Sequence, residues 1–109
     1  MSAVISGTNG LLQSYDYQTP TTGFSYTFAA GTQVLVMNPA ATLATGFITM
    51  PAAPSDGMTI RFSTSQIITA LTVSANTGQS IVSAVTTLAA GGGAVYIYRS
   101  ANSTWYRTV

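Results

Sequence analysis

Few side chains in this 109-residue chain can do chemistry, so they can be taken one by one. The charged residues are Asp16, Asp56, Arg61, Arg99 and Arg107, and histidine and cysteine are absent. Without histidine a nucleophile has no ordinary general base, and a Ser- or Cys-based triad cannot be assembled. A two-carboxylate hydrolase would need Asp16 and Asp56 to converge in one cleft. Both sit in turn-like sequence, and Ser55-Asp56-Gly57 accounts for Asp56 locally, since a short polar side chain bonds the turn backbone. Two carboxylates with no His or Cys are too few for zinc, and no acidic loop suits calcium. Gly91-Gly92-Gly93 has neither the lysine nor the helix start of a phosphate loop. Asn102-Ser103-Thr104 fits the glycosylation pattern, which short stretches often match by chance. No catalytic residue, cofactor site or metal site is expected, and the chain reads as a non-enzyme.

The aromatics remain. Tyr15, Tyr17, Tyr26, Tyr96, Tyr98, Trp105 and Tyr106 could form a stacking face for sugar or protein. Alternatively they fill the core and subunit interfaces, with hydroxyls at the rim. Packing is the expectation here. The arginines could anchor an interface through guanidinium forks or could be ordinary solvated residues.

The elements that must position these groups are strands. Phe24 to Phe28 alternates, with Phe24, Tyr26 and Phe28 on one face. Gln33 to Met37 is a continuous apolar run, expected to be a strand buried on both faces. Gly46–Met50, Met58–Phe62, Gln66–Ser74, Gln79–Val82 and Thr86–Leu88 follow as short strands. Asn38-Pro39, Pro51 to Gly57 and Asn76-Thr77-Gly78 separate them. Residues 40–45 could make a single helical turn, too short to stand alone. Residues 94–109 read as a hairpin around Ser100-Ala101-Asn102-Ser103, with Val95, Ile97 and Arg99 on one face and Ala94, Tyr96 and Tyr98 on the other. The largest apolar residues gather there, so the core is expected against it. The fold class is all-β, a small antiparallel β-sandwich or barrel-like module over residues 23–109. Residues 1–22 form an N-terminal arm or an edge segment.

Composition points to assembly. Charged residues make up 5% of the chain, against about 25% in an ordinary soluble domain. With net charge +1 and mean hydropathy +0.37, a lone copy has little electrostatic protection against association. Three scattered arginines make no basic stripe, so nucleic acid is not an expected direct partner. No apolar run approaches the roughly 20 residues that span a bilayer, and residues 1–7 lack the features of a secretory signal.

Several runs carry a family resemblance. They are Leu43-Ala-Thr-Gly-Phe-Ile-Thr-Met-Pro-Ala-Ala-Pro-Ser-Asp-Gly57, Ile68 to Asn76, Gly78-Gln79, Leu88 to Gly92, Tyr96 to Arg99 and Ser103 to Arg107. Together, over roughly residues 35–109, they resemble a module of tailed-bacteriophage virion proteins, especially those of cyanophages. Such modules occur in tail fibres, spikes and capsid-decorating proteins. The resemblance implies a β-rich, commonly trimeric structure. A small module behind a short arm looks like a decoration (cement) protein on the capsid exterior. The expected partners are then copies of itself in a homotrimer and the major capsid protein. Leu11, Leu12, Tyr15 and Tyr17 are the expected capsid contacts, and Phe24, Tyr26, Tyr96, Tyr98 and Trp105 the expected trimer interface. A tail fibre or spike component is the alternative.

Overall fold

The computed structural model describes residues 15–108 in full and strands 3–6 and 10–13 by their backbone. Eleven strands occupy this part of the chain: β1 (Ala3–Ser6), β2 (Gly10–Gln13), β3 (Tyr15–Gln18), β4 (Phe24–Thr27), β5 (Val34–Met37), β6 (Leu43–Thr49), β7 (Thr59–Thr64), β8 (Ile68–Ser74), β9 (Ser80–Val82), β10 (Gly93–Arg99) and β11 (Thr104–Arg107). β1 and β2 pair with each other as an antiparallel hairpin.

From β3 to β8 the chain winds as a coil, alternating between two sheets. β3, β5 and β7 stack in parallel in one sheet, with Tyr15 opposite Val34 and Val34 opposite Arg61. β4, β6 and β8 stack in parallel in the other, with Ser25 opposite Phe47 and Phe47 opposite Thr72. The fold is all-β, as the short strands require, but it is a β-solenoid and not an antiparallel sandwich. Each successive strand crosses to the other sheet, so neighbours within a sheet come from successive coils. Local alternation cannot distinguish that arrangement from a sandwich, because both bury one face of each strand.

The C-terminal third closes one end of the coil. β10 runs antiparallel to β7, β11 antiparallel to β10, and β9 parallel to β11, giving a large sheet of order β3-β5-β7-β10-β11-β9. The expected hairpin is present. A 3-10 turn at Ser100–Asn102 and left-handed Ser103 (φ 51°) join its arms. On the small sheet, Ile68 and Leu88 exchange backbone hydrogen bonds of 3.0 Å, and the Leu71 amide donates to the Thr86 carbonyl at 2.9 Å. At the other end β3 and β4 pair with no further strand among the described residues.

The core lies between the sheets and reaches from Phe28, Leu35 and Met37 through Ile48, Ile60 and Phe62 to Tyr96 and Trp105. Gly46 lets the coils close at one point, because a Cβ there would run into the Phe24 ring. Gly57 holds φ +80° in the Ser-Asp-Gly turn, the left-handed region where glycine is favoured.

Two local expectations are corrected. Residues 43–45 extend β6 instead of forming a helical turn. β5 buries Leu35 and Met37 but leaves Val34 and Val36 half-exposed, so it is not buried on both faces. β8 does not alternate throughout: Ile68, Leu71 and Val73 are buried, while Thr69 and Ala70 are both exposed. β6 breaks in the same way at Ala44 and Thr45. The two strands therefore bend together, since Thr45 pairs with Ala70. Thr22 supports the bend: its Oγ1 accepts the Ala44 and Thr45 amides at 3.2 and 3.3 Å.

Candidate functional site

The surface that strand parity assembles on the large sheet is the main candidate. Tyr15, Val34, Arg61 and Val95 lie in one row across β3, β5, β7 and β10. Tyr17, Val36, Ser63 and Gly93 form the next row. Further along, Ile97 stands opposite Thr59 on one side and Tyr106 on the other, with Val82 beyond. Tyr15 is 66% exposed, Tyr17 52%, and Ile97 and Val82 are also exposed. Arg61 and Arg99 share this outer face, being of the same strand parity as Val95 and Ile97. No carboxylate faces it among the described residues. Asp16 takes the opposite parity, in register with core residue Leu35. Asp56 lies in the 55–58 turn, where its Oδ1 accepts the Ser100 amide at 2.9 Å. A shallow depression interrupts the face, bounded by Val34, Arg61, Ser63 and Val95, with Gly93 on its floor.

The small sheet presents a different outer face. Ser25, Thr27, Thr49, Thr72 and Ser74 supply hydroxyls, and no charged residue occurs on its strands. Phe47, 46% exposed, is the large apolar side chain on its strands that faces outward, standing between Ser25 and Thr72, and Ile67, 44% exposed, lies just before β8.

The open end of the coil holds a polar cluster around Asp16. Asp16 accepts from the Tyr26 hydroxyl at 2.8 Å and from Gln18 Nε2 at 3.0 Å. Burial, then the bond to this carboxylate and its negative charge, push the Tyr26 hydroxyl well above the usual phenol range. A recess of about 220 Å³ opens here, lined by Phe24, Tyr26, Leu35 and Met37 among others. A larger cleft of about 510 Å³ lies between residues 27–33 and 51–58. It contains Asp56 but no second carboxylate, and the two aspartates share no hydrogen-bond partner. No cluster of three metal-ligating side chains occurs among the described residues. No helix among them is long and apolar enough to cross a membrane.

The sequence-derived contact residues divide sharply. Tyr15 and Tyr17 are exposed on the edge strand β3, paired with β5, so this part of residues 1–22 is an edge strand and not an arm. The side chains of Leu11 and Leu12 lie outside the described residues. Phe24 and Tyr26 are half-buried at the open end. Tyr96 and Trp105 are 0% exposed and Tyr98 is buried beside them. These three cannot serve as a trimer interface, because the protomer's own core takes them up. Tyr96 accepts the Val85 amide at 2.9 Å and donates to the Ser83 carbonyl at 3.2 Å. Trp105 Nε1 donates to Gln79 Oε1 at 2.8 Å, and Gln79 Nε2 donates onward to the Pro51 carbonyl at 2.9 Å. Sequence reasoning missed Phe47, Gly93 and the outward Val34 and Val36. The parity of Val95, Ile97 and Arg99 and the choice of Tyr15 and Tyr17 as contacts signalled the large-sheet face in advance.

No protein-family model matches the chain, and no curated protein matches its sequence.

Proposed function

We propose that the chain is a structural, non-catalytic subunit of a tailed-phage virion. Its role would be that of a decoration protein on the capsid exterior, assembling as a homotrimer and binding across contacts of the major capsid protein. The observation that carries this reading is the outer face of the large sheet: tyrosines and aliphatics in open rows, two arginines and no carboxylate. A broad face of this kind belongs against another protein. The resemblance over residues 35–109 supplies the virion context. Mechanistically, a subunit that binds only the assembled shell stabilises it by linkage, and three-point attachment raises avidity without new chemistry.

The tail fibre or spike reading stands second. It is favoured by the stacked parallel coils with one closed and one open end, a geometry that suits an elongated shaft. Antibody labelling of virions that contain the protein, followed by electron microscopy, tests the assignment. Regular label over the head is expected. Label confined to the tail would overturn the decoration role and favour the second reading.

A further inference from the structure

We propose that copies join by heterologous contact, the small sheet of one docking on the large sheet of the next, with Phe47 seated over Gly93. This rests on the reading that the chain self-assembles, and it names the two faces that do so.

Charge excludes the simplest alternative. Two large sheets placed face to face would gather Arg61 and Arg99 of both copies into one interface, with no carboxylate on either face to offset them. The small sheet carries no charge, and its Ser25, Thr49 and Thr72 hydroxyls can accept from guanidinium groups. Shape points the same way. The small sheet projects a phenyl, Phe47, and the large sheet has a depression over Gly93. That depression is fixed by the backbone, because a Cβ at position 93 would strike the Phe62 carbonyl oxygen. Val34 and Val95 give the phenyl apolar walls, and Arg61 at the rim can lie over the ring face. A contact between two different faces closes into a ring when its rotation allows and otherwise runs on as a filament. The homotrimer is the closed form.

The chain has no cysteine, which makes disulfide trapping clean. F47C would be prepared separately from S63C and V95C, whose positions flank Gly93, and then mixed under oxidising conditions. The expected result is covalent dimers in the mixtures and not in either variant alone, and covalent trimers from F47C/S63C. Phe47→Arg, which sets a second cation against Arg61, should raise the concentration at half-dissociation at least tenfold with unchanged circular dichroism. F47C linking to itself as readily as to its partners would overturn the proposal. If the mixtures stay uncrosslinked while light scattering reports a trimer, the faces are wrong and self-assembly stands. If scattering reports a monomer, both fall.

Discussion

The two ends of the coil use their aromatic residues differently. At the closed end Tyr96 and Trp105 are completely buried, each with its polar atom bonded, and Tyr98 packs on Trp105 with ring centroids 5.0 Å apart. At the open end Tyr15 and Tyr17 stand in solvent, and Phe24 and Tyr26 are half-covered. One set of aromatics holds the protomer together, and the other stays wholly or partly outside that core. Residue type does not separate the sets. Position separates them: Tyr15 and Tyr17 take the outward parity shared with Val34 and Val36, whereas Tyr96, Tyr98 and Trp105 face inward where β10, β11 and β9 cover the coil.

The contrast is broken most directly at Trp105. Trp105→Ala should cost about 3–5 kcal/mol, through the cavity and the lost bond to Gln79, and would bring a small domain close to unfolding. Urea denaturation measures it. Next is Tyr96→Phe, which leaves the Val85 amide without its acceptor and should cost about 1–3 kcal/mol in the same assay. At the open end Tyr26→Phe should cost only about 1 kcal/mol, because Asp16 keeps Gln18 and remains within reach of water.

The two tyrosines also set an alkaline limit. Burial raises the hydroxyls of both Tyr26 and Tyr96, against a lowering by the Val85 amide and Arg107 in the second case. Both protons are thus held more tightly in the fold than in the unfolded chain. Their contribution is complete below about pH 10, the unfolded tyrosine value, and is lost as pH rises from there through the folded values. The urea midpoint should be level up to about pH 9–10 and then fall, less steeply in Y26F/Y96F. The smallest effect belongs to Tyr15→Ser with Tyr17→Ser: under about 0.5 kcal/mol per site on the protomer, with loss of binding to expanded capsids. A large loss of protomer stability would erase the distinction between the ends.

Strand positions were largely legible in the sequence, because Phe24–Phe28, Met58–Phe62 and the first hairpin arm alternate cleanly and are bounded by turn residues. Coil topology was not. Alternation reports which side of a strand is buried and says nothing about which strand lies beside it. The bend in β6 and β8 escaped for a related reason: Ala44, Thr45, Thr69 and Ala70 are small residues that suit an interior or a surface, and only pairing shows that both strands turn at one level. The surface set was half legible. Tyr15 and Tyr17 stayed outside, but Tyr96, Tyr98 and Trp105 take inward positions on β10 and β11 and fill the core.

Asp16 has one more consequence. Its carboxylate points toward the interior on the outermost rung of the large sheet, in line with Leu35. A strand from another copy adding edge-on to β3 would seal that anion away from water beside an apolar neighbour, at a cost of several kcal/mol. An inward acid on a terminal strand is a known safeguard against edge-to-edge aggregation. Lengthening of the large sheet past β3 into a fibril along the coil axis is therefore disfavoured.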